Sequence, residues 1–145
     1  MNPLTAVIVV LVLLAATTII GITWRRRTGR VREVSAETVS AGDIGADTLG
    51  ERATLLQFST EFCSPCRATH AMLLPIAAER TGVAHIDVDL SLRPRLATRF
   101  GIAQTPTVLL LDAAGTIRAR IGGAPRRDEL VARLDDLVKE HRVSA

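Results

Sequence analysis

Two cysteines, Cys63 and Cys66, limit what this chain can become more than any other feature, because they stand where a short apolar run gives way to a helix-forming one. They are the only cysteines in 145 residues. Residues 53 to 59, Ala-Thr-Leu-Leu-Gln-Phe-Ser, have the character of a buried strand, and residues 66 to 80 are rich in Ala, Leu, Met and Arg, which favour helix. Two thiols at this spacing close a disulfide with little backbone movement, or serve as metal ligands. At a helix start, unpaired amides and the positive end of the helix dipole stabilise a thiolate. The pKa of Cys63 is therefore expected below the free-thiol value of about 8.5. Pro65 suits the first helical turn, where a missing N–H is no loss. Cys63 is expected to be the exposed nucleophile, and Cys66, one turn in, the buried resolving thiol.

Length allows one compact domain with an appendage, and the appendage lies at the front. Residues 1 to 24 carry no charged side chain, and residues 4 to 22 are almost wholly apolar, about the length a helix needs to cross a hydrocarbon core of roughly 30 Å. The segment reads as a membrane anchor. A cleaved signal peptide is the weaker reading, because no Lys or Arg precedes the apolar run and hydrophobicity continues past Ala15 and Ala16. A core helix is weaker still, since no face is polar, and no nearby cysteine offers a lipidation site. Arg25, Arg26, Arg27, Arg30 and Arg32 follow directly, so the positive-inside rule places the remainder in the cytoplasm, with an extracytoplasmic domain as the alternative. These arginines outnumber the formal net charge of +3. Topology and anionic lipid explain them; without interleaved aromatic residues they do not suggest a nucleic-acid surface.

Residues 28 to 51, with Gly29, Gly42, Gly45 and Gly50 among small polar residues, read as a tether. A short strand is expected near 31 to 34 and a helical turn near 46 to 49, with the folded domain starting between 31 and 52. The helix after Cys66 carries Leu73 and Ala77 on the cysteine face and Pro75 in its interior, and Gly82 is expected to end it. A strand over 83 to 89 and a helix near 93 to 100 follow. Thr107, Val108, Leu109, Leu110 and Leu111 form an unbroken apolar run typical of a strand buried on both faces. After turn residues 112 to 115, Ile117, Ala119 and Ile121 alternate with Arg118 and Arg120, as in a half-buried edge strand. Pro125 opens a last helix with an apolar stripe of Leu130, Leu134, Leu137 and Val138.

A strand, a Cys-x-x-Cys helix start, strand, helix, then Thr105-Pro106 heading a hairpin and a closing helix resemble the thioredoxin family over about residues 52 to 141. The resemblance implies an α/β fold, a central mixed β-sheet flanked by helices, here preceded by one transmembrane helix. The chain then divides into an anchor (1–24), a basic juxtamembrane segment and linker (25–51) and a thioredoxin-like domain (52–145). It implies that Pro106 is cis beside the cysteines and that Thr105 offers its backbone to an extended substrate, with Phe62, Ser64 and Pro65 completing the substrate surface. Three positions depart from the family pattern. Phe62 replaces the usual tryptophan, Ser64-Pro65 replaces Gly-Pro, and Gln57 stands where the family has a buried acid that assists the resolving thiol. Gln57 cannot act as a general base, so Glu61, His85 or water is the candidate proton acceptor.

His70 lies one helical turn beyond Cys66, but Cys63, Cys66 and His70 fall short of the four ligands of a structural zinc site. No metal and no haem are expected, Arg67 occupying the position where haem attachment needs histidine. His70 otherwise reads as a half-exposed helix residue, and Asp87 and Asp89 as solvated carboxylates. No cofactor beyond a Cys63–Cys66 disulfide is implied. The function expected is thiol–disulfide exchange on protein disulfides near a membrane, with electrons from a thiol or protein reductant. The alternatives are an extracytoplasmic oxidase, isomerase or cytochrome-maturation reductant, and a redox-sensing module that binds a membrane partner.

Overall fold

The computed structural model describes residues 2–27, 29–33 and 37–144. A long helix α1 (Pro3–Arg27) leads into β1 (Val31–Glu33) and a single-turn helix α2 (Ala41–Ile44). Then come β2 (Ala53–Ser59), α3 (Ser64–Ala78), β3 (Val83–Asp89), α4 (Pro94–Arg99), β4 (Thr107–Asp112), β5 (Ile117–Gly122) and α5 (Arg127–Ser144). The five strands form one mixed sheet in the order β1-β5-β4-β2-β3. Only β2 and β3 run parallel, joined through α3; the remaining pairs are antiparallel.

Alternation along β4 builds two cores. Val108 and Leu110 face one side, where Leu55, Ile121, Leu73 of α3 and Leu130 and Leu134 of α5 pack. Leu109 and Leu111 face the other, with Leu56, Phe58, Phe100 and Ile117. Helices cover both faces, so β2 and β4 are apolar nearly throughout, as strands in covered sheets are. Thr54, Ser59 and Thr107 are buried in these strands too, and Gln57, the one amide among them, is fully covered on the α3 side.

Residues 31 to 51 are more than a tether. β1 pairs with β5, and Val39 and Ile44 are buried in the second core. The helical turn expected at 46 to 49 lies instead at Ala41–Ile44. There Ser40 and Asp43 form a reciprocal capping box, and Gly45 ends the turn at φ 65°. The strand expected at 31 to 34 ends at Glu33, and Val34 lies outside the described residues. β5 alternates as expected but is not an edge, because β1 covers it. α3 contains Pro75 and stops at Ala78, before Gly82, which turns the chain into β3 at φ 79°. Residues Pro3–Thr23 of α1 are long and apolar enough to cross a membrane, and none is buried against the rest of the chain. Membrane anchors and signal sequences share that length and composition.

Candidate active site

β2 delivers the chain to the N-terminus of α3, and the two cysteines occupy that junction. Cys63 is the N-cap residue, in extended conformation, with Ser64 and Pro65 in the first turn. Cys63 and Cys66 are joined by a disulfide, and their Cα atoms are 5.2 Å apart. The Cys66 amide donates to Cys63 Sγ at 3.2 Å, so a helix-start N–H is aimed at the sulfur in the way capping oxygens usually receive it. Cys63 is not the exposed residue expected: it is 8% accessible against 3% for Cys66. Its sulfur is bonded inward to Cys66, and it is set in the wall of a cavity of about 260 Å³ shared with Ser59, Thr60, Arg67, His70 and Asp87.

The register brings a second loop against the pair. Phe58 lies opposite Thr107, so the chain just before β4 meets the chain just after β2. The Thr105–Pro106 peptide bond is cis, and the Thr105 and Thr60 hydroxyls lie 3.3 Å apart. Phe62, the residue before Cys63, is 93% exposed, and Leu92 is 81% exposed on the loop whose Ser91 hydroxyl accepts the Glu61 amide. Two large apolar side chains thus stand in solvent on neighbouring loops, one of them, Phe62, next to Cys63 in the chain.

Beneath Cys66 lies a polar network. The Gln57 Nε2 donates to the Cys66 carbonyl at 2.9 Å, which leaves Oε1 to face His85 Nε2 at 3.3 Å. Since Oε1 can only accept, this contact is a hydrogen bond when His85 carries a proton on Nε2. Burial, followed by repulsion from His70, pushes the His85 pKa down to about 4, against the opposing pull of Asp87. The His70 and His85 rings are 4.9 Å apart between centroids. His70 Nδ1 sits 3.4 Å from Asp87 Oδ2, an electrostatic contact whose geometry is not that of a hydrogen bond.

The structure therefore gathers the candidate residues unevenly. Gln57 is against Cys66. His85 is held behind Gln57 and does not line the cavity, and neither does Glu61. His70 and Asp87, which reading along the chain set aside as surface residues, do line it. Their encounter depends on α3 packing over β3, with only the one-turn spacing of Cys66 and His70 as a signal in the sequence. Among the described residues no group of three or more His, Cys, Asp or Glu side chains is arranged to hold a metal.

A family profile described as thioredoxin-like domain matches residues 44–137. The chain belongs to the thioredoxin-like family. It is 32% identical to a thioredoxin of Mycolicibacterium smegmatis over 102 residues, covering 68% of this chain and 90% of that one. With a thioredoxin of Chlamydia muridarum it shares 29% identity over 100 residues, 69% of this chain and 93% of the other. Among solved structures, thioredoxin-2 of a malaria parasite superposes with a TM-score of 0.57 at 20% identity, covering 72% of this chain and 99% of that one. A point mutant of a thioredoxin from Halobacterium salinarum gives 0.55 at 22% identity, over 66% and 80%. This thioredoxin-like chain is a thiol–disulfide oxidoreductase, and its cysteine pair is its own redox centre, needing no further cofactor.

Proposed function

We propose that this chain is a membrane-tethered reductase of protein disulfides, anchored by α1 and working through Cys63 and Cys66. The observation that carries the chemistry is the Cys66 amide directed at the Cys63 sulfur. A donor so placed, at the positive end of a helix, favours a thiolate there once the disulfide is reduced.

In the reaction, the Cys63 thiolate attacks one sulfur of a substrate disulfide. That S–S bond breaks, the far sulfur leaves as a thiolate, and a Cys63–substrate disulfide forms. Cys66, losing its proton, attacks Cys63 Sγ; the second substrate sulfur leaves, and the Cys63–Cys66 disulfide closes. Two electrons have passed to the substrate, which ends as two thiols. A small thiol or protein reductant returns the enzyme to the dithiol. Phe62, Ser64, Pro65, Thr105 and Pro106 form the surface against which an extended substrate lies.

The proton leaving Cys66 finds no carboxylate at position 57. His85 is a poor acceptor at neutral pH, being held neutral with its Nε2 facing Gln57. The titratable pair that shares a cavity with both sulfurs is His70 with Asp87, and we assign it the acceptor role, through water. Gln57 positions Cys66 without titrating.

The arginines that end and follow α1 favour a cytoplasmic domain, where thiol pools run the cycle toward reduction. The test is to label Cys63 with a membrane-impermeant thiol reagent after mild reduction, in intact and lysed cells producing the chain. Labelling only after lysis supports the cytoplasmic reductase. Labelling of intact cells places the domain outside and makes oxidative folding or cytochrome maturation the function. The neutral Gln57 favours one second reading, a redox-switched binding module, which steady turnover of a generic disulfide excludes.

A further inference from the structure

The register of the sheet fixes which end of the domain meets the anchor. Val31, at the start of β1, lies opposite Ile121 near the end of β5. Gly122 lies opposite Thr107, and Thr107 opposite Phe58, which leads to Cys63. The chain therefore enters the sheet at the end that carries the disulfide and Pro106, about three strand spacings, or roughly 15 Å, from β2. The junction is short and pinned. Only residues 28 to 30 separate α1 from β1, a reach of at most about 15 Å. The Gly29 amide donates to the Gly122 carbonyl at 2.8 Å, and a Cβ at Gly29 (φ +79°) would lie 2.4 Å from the Ala124 carbonyl oxygen.

The same end is basic. Arg32 and Arg120 are direct cross-strand partners, a like-charge pairing that costs stability unless an anion sits nearby. Among the described residues neither makes a salt bridge; Arg120 Nη1 reaches the Gly101 carbonyl at 3.4 Å. Arg30 joins them; Glu129, held low first by its hydrogen bond from Arg126, feels the Arg30 charge least. A cavity of about 690 Å³ lies between these three arginines and Gln104 on one side and Ile20 and Thr23, the last turn of the apolar span, on the other. That turn is where a spanning helix leaves hydrocarbon for headgroups.

We propose that the disulfide-bearing end of the domain docks on an anionic lipid surface through Arg30, Arg32 and Arg120. The substrates are then disulfides of membrane proteins lying at headgroup height. This rests on α1 spanning a membrane. Docking limits the enzyme to substrates that slide beneath Phe62 and the Thr105–Pro106 loop, and disfavours soluble proteins approaching from bulk.

The experiment uses the full chain in lipid nanodiscs, of zwitterionic lipid alone or with anionic phosphatidylglycerol, carrying a headgroup spin label. Amide signals are compared at the disulfide end (Phe62, Gly101, Gly123) and the far end (Gly50, Gly82, Gly115). Greater broadening of the first set, stronger in anionic discs, is the result expected. Arg32→Gln with Arg120→Gln should reverse it, each arginine shifting the docked population roughly fivefold, while unchanged far-end shifts show that the variant is folded. Equal broadening of both ends, broadening mainly of the far end, or indifference to lipid charge overturns the docking with the anchor intact. A chain that does not stay with the discs overturns the anchor itself.

Discussion

Gln57 offers the sharpest test of the site's internal logic, because Gln57→Glu changes one atom and almost no volume. The amide donates to the Cys66 carbonyl at 2.9 Å in a fully buried position. A carboxyl there reproduces that bond only while it keeps its proton; ionised, it sets two acceptors against each other. Its pKa should rise to about 8, the range of buried carboxyls without a counter-charge. In the unfolded chain the same group titrates near 4.3. With the folded pKa raised, stability is fully present below about 4.3 and is lost as pH rises. At pH 7 the deficit is about 2.7 units times 1.36 kcal/mol, or roughly 4 kcal/mol. Urea unfolding of the full chain in micelles, followed by circular dichroism at pH 4.5 and 7, should show the variant losing that stability across the interval. A variant that keeps the native pH profile refutes the reasoning, since the introduced carboxyl would then be ionised in the fold, paired with His85 instead of Cys66. At pH 7 about a tenth of such a group would be ionised, and a general-base gain of about a hundredfold weighted by that fraction should speed closure of Cys66 on Cys63 roughly tenfold.

Other perturbations reach other parts of the structure. The depressed pKa of His85 means that the unfolded chain binds a proton first as pH falls, so its contribution is complete above about 6.5 and disappears toward pH 4. Partial solvent access reduces the full linkage to roughly 1–2 kcal/mol; His85→Leu should remove that acid-side slope in urea midpoints, and a persisting slope would assign it elsewhere. Ile44→Ala, at a side chain 2% exposed, should cost about 2–4 kcal/mol. A loss within error would return residues 31 to 51 to the status of linker. Arg80 Nε donates to Asp135 Oδ1 at 2.7 Å, tying the turn after α3 to α5. With Asp135 well exposed, a double-mutant cycle of Arg80→Ala and Asp135→Asn should give a coupling near 1 kcal/mol, and zero coupling would mean that the pair only decorates the surface.

What could be read along the chain was whatever depends on local pattern. The apolar runs of β2 and β4, the alternation of β5 and the Cys-x-x-Cys at a helix start each place an element without knowledge of its neighbours. β1 escaped full recognition because three residues carry no period, and its role as the edge beside β5 is a property of pairing. The signal for α2 was present in Ser40 and Asp43, spaced as a capping box, but the apolar residues after Gly45 drew the expected turn five residues downstream. The network under Cys66 shows the deeper limit. In the parallel register Gln57 stands opposite Asp87 and Leu55 opposite His85, so Gln57 and His85 meet only diagonally on the α3 face. His70 joins Asp87 only because α3 crosses that face. Which histidine shares the cavity with the sulfurs is set by helix–sheet packing, and there the residue singled out from the chain, His85, yields to His70.

The whole exchange cycle turns on Cys63 being the attacking sulfur and Cys66 the resolving one. The decisive measurement takes the full chain as Cys66→Ser and as Cys63→Ser, each reduced, exposed to a small disulfide substrate and read by intact mass. Cys66→Ser should accumulate a stable mixed disulfide at Cys63, and Cys63→Ser should remain unmodified over the same interval. An adduct on Cys66 in the Cys63→Ser chain, with none on Cys63 in the other, would reverse the roles and contradict the assignment built on the Cys66 amide.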